Sequence, residues 1–68
     1  MKISARNQIA GTVLSVDHGA VNGTVKIDIG GGNVITSNIT EEAVADLGLA
    51  PGDSVTVFVK ASDVMIGK

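Results

Sequence analysis

The chain contains no cysteine and a single histidine, His18, in 68 residues, and this shortage of staples constrains the fold more than any motif does. A domain so short buries too small a share of its surface to be comfortably stable alone. The usual supplements are disulfides, a structural metal or self-association. Thiols are missing, and one imidazole cannot furnish a structural zinc site, so self-association is the expected supplement. Composition agrees: 44% of the residues are hydrophobic and the mean hydropathy is +0.38, high for a small monomer that should show mostly polar surface. Part of that apolar surface is expected to face other copies of the chain.

The same apolar residues do not form a membrane span. Arg6, Asn7 and Gln8 interrupt the N-terminal segment, and no later run approaches the roughly 18 apolar residues that a span requires. A signal peptide is excluded on the same grounds, so no membrane partner is expected and the cytoplasm is the expected compartment. The formal net charge is −2 and Phe58 is the one aromatic residue. Nucleic acid is therefore not an expected partner, having neither a basic footprint nor a stacking platform to engage. An anion would have to be held by local donors rather than by the overall field.

Hydrophobic alternation points to an all-β fold. Val25, Ile27 and Ile29 alternate with Thr24, Lys26 and Asp28, the period of a half-buried strand. Gly30-Gly31-Gly32-Asn33 then reads as a hairpin loop leading into a strand from Val34 to Ile39. Val55, Val57 and Val59 alternate with Ser54, Thr56, Phe58 and Lys60 in a further strand, entered through the turn Ala50-Pro51-Gly52-Asp53. A first strand is expected from about Ile3 to Val16, with a bulge or bend at Gly11, and Val64-Met65-Ile66 is expected as a short final strand. One segment departs from period two. Thr40 can cap a helix from Glu41 to Leu47, with Ala43, Val44 and Leu47 as its apolar stripe and Gly48 as its stop. Five strands with one short helix between the third and fourth is the order of an OB-like β-barrel.

Catalysis has little to stand on. His18 sits beside Asp17 in a turn, and Glu41 and Glu42 suit the positive end of a helix dipole better than an acid/base pair, so the chain is not expected to be an enzyme. No Asp/Glu grouping has cation-binding spacing. Donors for an anion are better represented: Ser4 and Arg6 lie two apart, as do Lys60 and Ser62, and the four converge if the first and last long strands are neighbours. Taken without a ligand, Arg6 and Lys60 are ordinary solvated charges on a barrel rim. The segment after Thr40 adds backbone N–H groups without intrahelical acceptors, provided that the Glu41 and Glu42 carboxylates point away to solvent. The turn His18-Gly19-Ala20-Val21-Asn22 offers a shallow anion nest, or else a plain hairpin connection.

Taken together, Ser4-Ala5-Arg6-Asn7 with Gly11-Thr12-Val13, Gly19-Ala20-Val21-Asn22, Ile39-Thr40 with Leu47-Gly48-Leu49, and Val59-Lys60-Ala61 resemble the molbindin or Mop domain, a small molybdate-binding type within the TOBE-like OB-fold family. The resemblance spans essentially the whole chain, so residues 1–68 are expected to form a single molbindin-type domain. It implies a homohexamer, a trimer of dimers, that binds molybdate or tungstate at subunit interfaces and stores it inside the cell, with no organic cofactor. By the same resemblance Ser4, Ala5, Arg6, Lys60 and Ala61, with Ser62 beside them, form one wall of an interface site. Thr40 and Ala43 of an adjoining subunit form the other. Related domains often carry serine where this chain has Ala43, so any contact there must come from its backbone N–H. Gly19, Ala20, Val21 and Asn22 are implied as a second type of site where three subunits meet. Two alternatives stand beside this reading: a nucleic-acid-binding OB module, and a free-standing relative of a molybdate-sensing regulatory domain.

Overall fold

In a computed structural model describing residues 1–68, the period-two pattern becomes a period-two burial. Strand β2 (Asn22–Gly30) buries Val25 and Ile27 while Lys26 and Asp28 stay exposed. Its hairpin to β3 (Asn33–Thr40) turns through Gly31 and Gly32, both at positive φ (62° and 79°), as a two-residue connection matched to strand twist requires. The Asp28 side chain accepts the Gly30 N–H at 2.8 Å, and the Asn33 amide donates to the Gly30 carbonyl at 3.2 Å. Strand β1 (Asn7–Asp17) and strand β4 (Ser54–Val59) complete one antiparallel sheet in the order β3-β2-β1-β4.

Strand β1 organises this sheet by changing partners along its length. Asn7 to Thr12 pair with β4, and Thr12 to Asp17 pair with β2. The expected irregularity is present but is displaced: the register slips between Val13 and Ser15, not at Gly11. Gly11 serves the crossing itself, since a Cβ there would lie 2.5 Å from Cγ2 of Ile27 and 2.8 Å from the Asp28 carbonyl oxygen. The turn before β4 is stitched to the same strand. Gly52 N–H donates to the Val13 carbonyl at 2.8 Å, and Val13 N–H donates to the Asp53 carbonyl at 2.9 Å.

Helix α1 (Glu41–Leu47) has the expected bounds and caps. Thr40 Oγ accepts the Ala43 N–H at 3.1 Å. At the other end Gly48 N–H reaches the Ala45 carbonyl and Leu49 N–H the Val44 carbonyl, the paired bonds of a Schellman stop. Of its expected apolar stripe only Val44 is buried, joining Val13, Val25 and Ile27 in a core of four residues. Leu47 remains 68% exposed.

Three expectations are corrected. The first strand begins at Asn7 rather than Ile3, because β4 ends at Val59 and the chain then turns through a 3-10 segment (Ala61–Asp63), leaving residues 4–6 no strand to pair with. Val64-Met65-Ile66 forms no strand; Met65 and Ile66 are about nine-tenths exposed, since an extended segment that does not dock on a sheet edge gains neither hydrogen bonds nor burial. The sheet consequently has four strands, not five, and β3 and β4 are its two edges, unpaired with each other. Between them runs an apolar trough of about 230 Å³ whose lining includes Ile39, Leu47, Leu49, Val55, Val57 and Phe58.

Candidate functional site

The pairing of β1 with β4 decides where the candidate donors lie. Asn7 is the register partner of Val59, so the arm Ser4-Ala5-Arg6 leaves β1 at the point where Lys60-Ala61-Ser62 leaves β4. The junction is clamped: the Asn7 amide donates to the Val59 carbonyl at 3.0 Å, and the Gln8 amide donates to the Ala5 carbonyl at 3.2 Å. Ala5 is half-buried, whereas Ser4, Arg6, Lys60, Ala61 and Ser62 are exposed. Neither Arg6 nor Lys60 belongs to an ion pair, the one such contact in the chain being His18 with Glu41. Two cations and two hydroxyls thus flank the junction of β1 with β4, and neither cation has a carboxylate bound to it. The condition set for their convergence, that the first and last long strands be neighbours, is met, although residues 4–6 are an arm rather than a strand face.

Thr40 and Ala43 lie elsewhere. Thr40 pairs with Asn22 at the start of β2, and the neighbouring Thr24 pairs with Asp17 at the far end of β1. The eleven residues of β1 therefore run between this wall and Arg6. Within one chain the two walls do not meet. The donors at the helix start are also partly spent. The Glu41 N–H donates to the Val21 carbonyl at 2.8 Å and the Ala43 N–H to Thr40 Oγ, so of the first three helical amides only that of Glu42 lacks an acceptor in the chain.

The turn carrying Gly19, Ala20, Val21 and Asn22 is exposed throughout, but its first donor is taken. One Glu41 oxygen, Oε1, accepts the Gly19 N–H at 2.9 Å, and the other, Oε2, lies 2.9 Å from His18 Nδ1. The His18 hydrogen bond, and then that from Gly19, hold the Glu41 carboxyl below its ordinary range. The expectation that Glu41 points away to solvent is therefore overturned. Its side chain folds back over the turn because the helix start is tied to Val21 and because Gly23 leaves space: a Cβ at Gly23 would stand 2.8 Å from Glu41 Oε1. Sequence reasoning also missed Asn7 as the clamp of the arm and Gly23 as the seat of the carboxylate. The available signal was Gly23 itself, a glycine inside a strand pattern, which marks a close approach by something else.

The comparisons with known proteins agree in family. The TOBE domain model matches residues 3–66. A probable molybdenum-pterin-binding protein of Haemophilus influenzae is 51% identical over 67 residues, covering 98% of this chain and 97% of that protein. The high-resolution structure of a molybdate-binding protein from Sporomusa ovata superimposes with a TM-score of 0.93 at 41% identity, covering all of both chains. The cytoplasmic molybdate-binding protein ModG, in a crystal form with molybdate bound, matches with a TM-score of 0.90 at 49% identity, over 96% of this chain and 46% of that one. The chain therefore belongs to the TOBE domain family, as a domain of the molbindin or Mop type.

Proposed function

We propose that the chain binds molybdate, and tungstate by the same chemistry, at sites completed between copies of itself, and that it stores the anion in the cytoplasm without transforming it. The observation that carries this reading is the separation of the two walls. Ser4, Ala5, Arg6, Lys60, Ala61 and Ser62 gather at one end of β1, while Thr40 and Ala43 stand at the other. A site using both sets exists only where the arm of one chain meets the helix start of another. The Ala43 N–H, engaged by Thr40 Oγ, is the weakest of these contacts, and the Thr40 hydroxyl hydrogen is the stronger one.

The surface supports assembly. The chain exposes 5058 Å², whereas a compact monomer of its mass exposes about 4,000 Å². Its radius of gyration is 12.4 Å, against about 11 Å for a compact domain of this length. An excess on the order of 1,000 Å² is comparable to what each partner buries in a standard interface. The apolar trough and the exposed Val64, Met65 and Ile66 are where that excess is apolar. A homohexamer built as a trimer of dimers, with Gly19, Ala20, Val21 and Asn22 meeting at its three-fold positions, is the assembly this reading requires.

Donor chemistry supports the choice of anion. Molybdate is fully ionised at neutral pH and accepts hydrogen bonds at every oxygen, whereas phosphate usually keeps a proton. A pocket of N–H, hydroxyl, guanidinium and ammonium groups leaves that proton unpaired, at a cost of about 1–3 kcal/mol. Sulfate shares the charge and shape, so pocket size must reject it. The bare oxyanion, rather than a pterin complex, fits a chain whose one aromatic residue, Phe58, is half-buried along the trough and gives a ring system nothing to stack on. The relatives are named for binding, and the sole imidazole here is committed to Glu41, which favours binding without catalysis. Equilibrium dialysis tests the reading: an oligomer should take up molybdate saturably, and no uptake at micromolar anion would end it.

A further inference from the structure

We propose that Glu41 is the resident anion of the Gly19–Asn22 turn, and that its carboxylate sets how many oxyanions each chain accepts by holding this second site closed. The inference rests on the oxyanion reading above and concerns a residue outside the binding set named there.

The geometry resembles an occupied anion site. A carboxylate is a small anion with two acceptor oxygens, and both are used on the turn: Oε1 takes the Gly19 N–H and Oε2 meets His18 Nδ1, each at 2.9 Å. The contact is anchored from below, because the Glu41 N–H is bound to the Val21 carbonyl at 2.8 Å within the same turn. Space has been left for it, since any side chain at the buried Gly23 would press on Oε1. A dianion approaching the turn therefore finds its first amide donor taken, a carbonyl of the turn already paired, and a negative charge within a few ångströms. Coulomb repulsion between like charges at such range weakens binding by about tenfold or more even with strong solvent screening. Within one chain the Ser4–Arg6 and Lys60–Ser62 cluster lies at the opposite end of β1, and where the proposed interface brings it to an adjoining chain's Thr40, that chain's Glu41 carboxylate is folded onto its own Gly19 and His18.

The experiment is molybdate uptake by the assembled protein, measured as anion bound per chain by equilibrium dialysis, for the native chain, Glu41→Ala and Glu41→Gln. The native chain should fill one class of site. Glu41→Ala should add a second class, at least tenfold tighter than any second-class binding in the native protein. Glu41→Gln preserves side-chain shape and an acceptor for Gly19 but removes the charge, and it too should gain second-class binding, which keeps the test open if the alanine variant assembles poorly. The Gly19 amide resonance supplies a local readout: it should ignore molybdate in the native protein while the first class fills, and shift with it in the variants. Identical uptake curves for all three proteins, or a native Gly19 amide that shifts as the first class fills, would overturn the assignment while leaving the oxyanion reading intact. Absence of binding in all three would remove that reading and this one together.

Discussion

Replacing Gly11 by alanine tests the claim that the β1 crossing positions the candidate site. The added Cβ would stand 2.5 Å from Ile27 Cγ2 and 2.8 Å from the Asp28 carbonyl oxygen, where carbon atoms prefer about 3.5–4.0 Å. Ile27 is 4% exposed and belongs to the core with Val13 and Val25, so its β-branched side chain can yield only by turning toward the apolar trough that it lines. The carbonyl is main chain beside a ladder pair and yields still less. Overpacking of this kind costs about 1–3 kcal/mol, and the lower unfolded-state entropy of alanine returns about 0.4–1 kcal/mol where its conformation is compatible. With a backbone atom among the obstacles the net loss should be near 2 kcal/mol, which for a domain of this size lowers Tm by on the order of 8–16 °C. Thermal denaturation followed by circular dichroism at fixed chain concentration measures it. Gly67→Ala is the control, because a Cβ there meets nothing within 4 Å. A Gly11→Ala protein that melts at or above the native temperature would refute the close approach, and with it the argument that the crossing aligns the arm with Lys60.

Three further outcomes are expected. Val44→Ala removes two methyl groups from the only buried side chain of α1 and should cost about 2–3 kcal/mol, read as a lower urea midpoint at unchanged slope. Arg6→Ala and Lys60→Ala each remove a charge-assisted donor and should weaken oxyanion binding by about 1.5–3 kcal/mol; if both variants bind as tightly as the native chain, the pocket is wrongly assigned. Because the Glu41 carboxyl is held below its ordinary value of 4.5, its stabilising contribution is full above that pH and is lost as pH falls through the lowered value. Acid titration should release the Gly19 amide from its hydrogen bond below pH 4.5, followed by NMR, and a bond that loosens at higher pH would contradict the sign.

Ligand and assembly are linked in this scheme. An anion bridging two chains stabilises only the assembled state, so the melting temperature should rise with molybdate in proportion to the logarithm of its free concentration.

What was legible in the sequence was local. The alternation of Val25, Ile27 and Ile29, the glycine hairpin, the Thr40 cap and the Gly48 stop each depend on residues within a few positions of one another, where dihedral preference and period suffice. The neighbourhood of Arg6 with Lys60 was legible only as a condition on strand pairing. The register of Asn7 with Val59, a contact between the two ends of the chain, met it. Tertiary structure alone decided the rest. It ended β1 at Asn7 and left Val64-Met65-Ile66 without a strand, because a segment becomes a strand only where the chain's path docks it on an edge. It set Thr40 and Ala43 at the opposite end of β1 from the basic arm, a matter of sheet order that no local pattern encodes. It also brought the Glu41 carboxylate onto Gly19, 22 residues away in sequence, reversing a side-chain direction inferred from helix electrostatics alone. A carboxylate goes where two donors and an empty volume await it, and those are supplied by segments that meet only after folding.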